Sequence, residues 1–165
     1  MASFSSKAGQ PRPRTIQTLI IGVGNEFRGD DAVGICVARR LAALRLPNVR
    51  VIEQTGEGTD LIEALESAEF VYVVDAVSSK GLVGSIYRFE AQEQTLPAKY
   101  FGVSSHAFGV AEAIEIARSL GRLPPKLVVY GIEENNFETG SNLSRPVEQA
   151  AENVIRQLLQ EVSVL

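Results

Sequence analysis

Cysteine and histidine are nearly absent from this chain: its 165 residues include one of each, Cys36 and His106. A single cysteine excludes a disulfide framework and a cysteine-built structural zinc site, and it fits a reducing, cytoplasmic setting. Cys36 lies in an amphipathic stretch and reads as a small buried hydrophobe. No basic block stands out among 16 basic and 20 acidic residues, a net charge of −4, so nucleic acid is not an expected partner. No apolar run approaches the ~20 residues that cross a bilayer. Residues 1–15 are polar, contain two prolines and lack the apolar region of a secretory signal. They are expected to form a flexible leader, and residues 16–165 a single domain. A chain of this size buries roughly two-thirds of its unfolded surface.

What is present is an alternation of apolar strands and amphipathic helices. Residues 17–23, 49–53, 70–77, 84–90 and 126–133 read as strands: short apolar runs, rich in β-branched residues and bounded by turn residues. Val33, Val37, Leu41 and Leu44 recur at helical spacing and predict a helix from Asp31 to Leu44. Asp60 is placed to cap a helix reaching Ser67 after the turn 55–59. A further helix is expected from Ser105 to Leu120, stopped by Gly121, and a last one begins at Pro146. "FVYVVDAV", residues 70–77, is apolar enough for burial on both faces. The link 78–81 is too short for a helical crossover, so strand 84–90 should run antiparallel to the strand before it. Residues 91–102 read as loop. The expected fold is an α/β three-layer sandwich: a mostly parallel, five-stranded twisted sheet with one antiparallel strand and helices on both faces.

Ligands of such sheets bind outside the carboxyl ends of the strands. Four chemistry-bearing residues are expected there. Asp30 and Asp31 close the loop "GVGNEFRGDD" after the first strand, Asp75 ends the third, and His106 stands where a loop enters a helix. Each has an ordinary alternative. An aspartate before a helix commonly caps it, and a lone histidine is commonly a surface or core residue. Asp75 is harder to dismiss, because an unpaired carboxylate at the end of an apolar strand is costly. Two carboxylates and an imidazole suit a borderline divalent ion such as Zn²⁺ or Ni²⁺ and leave positions open for water or substrate. A dinucleotide site is the competing reading. Gly22 and Gly24 fit its fingerprint and Glu53 could stand for the ribose acid, but Phe27 occupies the third glycine's place. The two aspartates also stand where pyrophosphate would lie.

Taken together, "GVGNEFRGDDAVG", "VVDAVSSKG" and "SSHAFGVAEAIEIA" resemble the [NiFe]-hydrogenase maturation endopeptidase family. The likeness runs from Thr18 to the final helix. It implies an endopeptidase that trims the C-terminal extension from a hydrogenase large-subunit precursor after nickel insertion. By position, the resemblance gives Asp31, Asp75 and His106 as catalytic and metal-contacting residues and Asn25 as a residue that holds the loop. Asp30 is left as a helix cap or a supporting residue. The nickel is expected to come with the precursor rather than as a resident cofactor, and no membrane insertion is implied. One departure is visible: the family's D-G-G-T or D-G-x-G-T turn begins here with Gln54 or Thr55 in place of aspartate. That leaves room for a peptidase with another substrate, or for a nickel-dependent assembly module without protease activity.

Overall fold

The computed structural model describes residues 17–101, 109–135, 138–140 and 142–165. His106 and the expected leader lie outside the described residues. Five strands form one sheet: β1 (Thr18–Val23), β2 (Val49–Gln54), β3 (Phe70–Val77), β4 (Ile86–Glu90) and β5 (Lys126–Glu133), in the order β2-β1-β3-β5-β4. The β2-β1, β1-β3 and β3-β5 pairs are parallel, and β4 is antiparallel to β5. The helices are α1 (Val33–Ala43), α2 (Gly58–Leu65), α3 (Ala98–Phe101), α4 (Val110–Ser119) and α5 (Arg145–Ser163).

Alternation along the strands divides the core in two. Leu19, Ile21, Val71, Val73, Leu127 and Val129 face α2 and α4. Ile20, Tyr72, Val74, Val128, Tyr130 and Ile132 face α1 and α5, whose Val147, Ala151, Val154 and Leu158 pack onto them. Side chains of alternate sign of pleat fill opposite layers, so the molecule is the three-layer α/β sandwich its sequence pattern predicts. Among the described residues, no helix is long and apolar enough to cross a membrane.

Several local readings are corrected. Strand β4 runs antiparallel to β3, as expected, but β5 lies between them. The reason is burial: from Leu127 to Glu133 every residue of β5 is buried, so it needs neighbours on both sides, whereas β4 is mostly half-buried and takes the edge. Helix α1 starts at Val33, and Gly29–Ala32 forms a tighter 3₁₀ turn ahead of it. Helix α2 begins at Gly58, ahead of Asp60, which lies in its first turn rather than at its cap. Within the expected loop 91–102, Ala98–Phe101 form a helical turn. Helix α4 ends where Gly121 predicted. The amides of Gly121 and Arg122 close onto the carbonyls of Arg118 (3.0 Å) and Ala117 (2.8 Å), the paired bonds of a Schellman ending.

From β1 the chain moves outward to β2, then returns to place β3 on the other side of β1. The carboxyl ends of β1 and β3 are therefore the point where the strand order reverses, the usual place for a crevice in an open parallel sheet.

Candidate active site at the carboxyl edge of the sheet

The glycines of the β1–α1 loop serve close packing, not phosphate. A Cβ on Gly34 would lie 2.2 Å from the Val23 carbonyl oxygen and 2.4 Å from that of Val74. One on Gly22 would lie 2.1 Å from the Gly34 oxygen. Only hydrogen at these positions lets α1 press its first turn onto β1 and β3. Gly24, at φ +155°, brings its α-carbon so near that a Cβ would meet the Asp31 carbonyl at 2.0 Å. Asn25 then holds the turn, as its family position implies: its Oδ1 accepts the Phe27 amide (3.0 Å) and its own amide donates to the Asp31 carbonyl (3.3 Å). The Asp31 amide donates to the Arg28 carbonyl at 3.0 Å. The loop is thus a compact support that fixes Asp31 at the strand ends.

Asp75 stands near the end of β3, opposite Gly131 of β5. Burial pushes its carboxyl up to about 8, the negative charge of Asp31 pushes in the same direction, and a hydrogen bond with the Ala76 backbone opposes them. The structure therefore brings Asp31 and Asp75 close enough to repel one another. A further acid joins them that sequence reasoning missed. Glu134 follows β5 directly, is nine-tenths buried (9% exposed), and has its Oε2 without a hydrogen-bond partner among the described residues. Its carboxyl is also pushed up to about 8, by burial first, then by Asp31, Asp75 and Asp30, with Arg28 opposing. The signal that identified Asp75, an acid at the carboxyl end of an apolar strand, was present at Glu134 too. Its neighbour Glu133 shows the contrast: buried more deeply still, it accepts from the Ser79 amide (2.7 Å), the Ser79 hydroxyl (2.6 Å) and the Gly81 amide (3.2 Å).

Asp30 does not cap the helix beside it. Fully buried, it accepts from the amide and hydroxyl of Ser144 at 2.6 and 2.9 Å and from the Asn135 amide at 3.4 Å. Ser144 is the residue ahead of α5, so Asp30 ties the β1–α1 loop to the segment joining β5 to α5. The Gly140 amide adds a bond to the Phe27 carbonyl (2.9 Å), and Arg28 bridges Thr139.

On the other flank, Gln54 ends β2 and is, with Thr55, one of the two residues that stand where the family pattern has aspartate. Its Nε2 donates to the Asp60 carbonyl (3.2 Å), while its Oε1 is buried without a partner among the described residues. Glu53, the candidate ribose acid, is instead paired with Arg39 at 3.0 Å, which removes the last support for a dinucleotide site. Cys36 is half-buried on α1, and burial pushes its thiol up. His106 lies outside the described residues. Among the described residues, no three His, Cys, Asp or Glu side chains stand in range to hold a metal. Asp31 and Asp75 would share an ion only with help from another quarter.

Residues 35–161 match the family model described as hydrogenase maturation protease. The chain is 27% identical over 148 residues to the hydrogenase 2 maturation protease of Escherichia coli K12, covering 87% of this chain and 89% of that protein. The structure of the E. coli hydrogenase maturating endopeptidase HybD superposes with a TM-score of 0.75 at 24% identity, over 90% of this chain and 93% of that one, a likeness of fold. The [NiFe] hydrogenase maturation protease HycI of Thermococcus kodakarensis KOD1 gives a TM-score of 0.63 at 25% identity, over 87% of this chain and 90% of its own. On the match to its family model, the chain belongs to the hydrogenase maturation protease family.

Proposed function

We propose that this chain is a cytoplasmic endopeptidase that removes the C-terminal extension of a [NiFe]-hydrogenase large-subunit precursor once nickel is in place. The observation that carries the reading is the juxtaposition of Asp31 and Asp75 at the reversal point of the sheet, in a chain of maturation-protease family. Two acids whose charges oppose one another are poor for stability and apt for receiving a cation.

Nickel enters this scheme as part of the substrate. Two carboxylates, with His106 as the third ligand, make a modest site that binds an ion firmly only when the precursor supplies the remaining ligands. The enzyme thereby distinguishes a loaded precursor from an empty one. While the pocket holds only protein, Asp75 keeps its proton near neutrality. An incoming divalent ion favours the ionised form and so prepares a carboxylate either to hold the metal or to act as general base toward the hydrolytic water. A metal-assisted route, in which the ion polarises the scissile carbonyl, uses the same residues. Gln54 and Thr55 are both neutral, so whichever stands where the family pattern has an acid leaves this turn with one fewer charge, a place where substrate choice can differ.

The test is processing of purified precursor, read by mass spectrometry as release of a C-terminal peptide. Nickel-loaded precursor should be shortened and nickel-free precursor left intact. Equal cleavage of both would remove nickel from the scheme, and a stable complex without peptide release would make the chain a binding module.

A further inference from the structure

Among the described residues, the large apolar side chains left in solvent divide by position. Ile116 lies within α4, and four others stand past helix ends: Leu44 and Leu120 follow α1 and α4 directly, and Val164 and Leu165 follow α5. All four lie toward the amino ends of the strands, as the bond from Gln17 Nε2 to the Leu165 carbonyl (3.4 Å) shows for the last of them. At the carboxyl edge two stand out. Phe27 is 67% exposed on the loop that carries Asp31, and Leu82 is 82% exposed on the loop that follows Asp75 and β3.

Neither exposure comes from a loose backbone. Phe27 is held by its amide to Asn25 Oδ1 (3.0 Å) and by its carbonyl to the Gly140 amide (2.9 Å). Leu82 sits in a loop gathered by the buried Glu133 carboxylate through Ser79 and Gly81, and its carbonyl accepts the Ser85 amide at 3.0 Å. The end of β5 and the segment after it therefore pin both loops, the first through Glu133 and the second through Gly140. An apolar side chain on a backbone already held in place leaves only its own rotamer freedom to be lost when a partner covers it, and such anchors carry most of the energy of a protein interface. Asp31 shares its loop with Phe27, Asp75 lies near the end of the strand that leads into the Leu82 loop, and Glu134, on which both charges act, follows the neighbouring strand; these acids disfavour an anionic surface and favour a partner that presents a cation.

We infer that Phe27 and Leu82 are the apolar anchors that dock the protein substrate at the edge carrying Asp31, Asp75 and Glu134, so that a cation-bearing segment of the partner is brought to these acids. This rests on the proposed function, which supplies the partner: the nickel-loaded large-subunit precursor.

The test measures both affinity and turnover, using the full chain and that precursor from the same organism. Phe27→Ser and Leu82→Ser should each raise Kd and KM about tenfold, with kcat falling less than twofold and the melting temperature unchanged. Phe27→Leu should restore most of the lost affinity. If wild type cleaves and both serine variants bind as tightly as wild type, the docking assignment is overturned and the protease reading stands. If wild type binds without cleaving and the variants bind more weakly, the docking assignment stands and the protease reading falls. A wild type that neither binds nor cleaves overturns both. A chain that self-associates at micromolar concentration and becomes monomeric on Phe27→Ser overturns the assignment too, because the surface then belongs to a second copy.

Discussion

Two regions of this molecule bury acids wholly or in part, and they treat them in opposite ways. At the seam between α5 and β4, Glu161 receives Arg88 through Nε and Nη2, both at 3.0 Å, and the Tyr130 hydroxyl as well. Arg88 also reaches Glu90 at 2.7 Å. Burial pushes the Glu161 carboxyl up, but the bonds from Arg88 and Tyr130 outweigh it and hold the group below its ordinary range. At the carboxyl edge, Asp75 and Glu134 are pushed up to about 8 by burial and by one another's neighbours. The first arrangement fastens a helix to an edge strand. The second holds its acids toward their neutral forms where a cation can draw out the ionised ones, the pattern expected of a functional site that costs stability.

The comparison breaks most visibly at Asp75. Asp75→Asn keeps the shape and removes the ionisable group, so precursor processing should fall at least a hundredfold, while the fold is retained or strengthened. Circular dichroism and the peptide-release assay read the two effects separately. A variant with normal turnover would remove Asp75 from the chemistry.

Asp30 is the intermediate case, an acid at the functional edge that is fully satisfied. Asp30→Ala leaves the Ser144 and Asn135 donors without their acceptor and should cost about 2–3 kcal/mol in denaturant unfolding. Because the tie positions the loop carrying Asp31, processing should drop as well. Asp30→Asn keeps an acceptor and should recover part of both losses.

At the seam, Arg88→Met should lower stability by about 2 kcal/mol and leave kcat and KM for the precursor unchanged. A loss of activity at full folding would mean that the two regions are coupled.

How far these differences were legible in the sequence depends on range. The strands, the helix faces and the three-layer plan follow from apolar periodicity within single segments. Asp31 and Asp75 follow from one further rule, that parallel strands deliver their ends to one edge. The order of β4 and β5 did not follow, because a short link fixes direction but not the neighbour, and β5 claims the central place by its burial. Asp30 was read as a local cap because its partners lie 105 and 114 residues away. Glu134 lies one residue past the apolar run of β5, where periodicity no longer speaks. Its burial depends on the loops around it, which no single segment of sequence encodes.

The smallest expected effect sharpens the comparison by pH. An acid whose folded pKa is about 8 against an unfolded value near 4 keeps its proton in the native state where the unfolded chain has released it. Native protein then binds more protons than unfolded protein between about pH 4 and 8, so stability falls as pH rises through that window and levels off above it. Glu161 behaves oppositely: its lowered value adds stability above the ordinary carboxylate range and loses it only in acid. Glu134→Gln removes one of the two groups responsible for the fall. Its melting temperature should match wild type near pH 4 and exceed it by roughly 2–4 °C at pH 8, the counterpart of about 1 kcal/mol for a chain of this size. Melting curves collected from pH 4 to 9 test this directly. A variant that tracks wild type at every pH would show that Glu134 is ionised in the native protein and that its unpartnered oxygen is met by a donor.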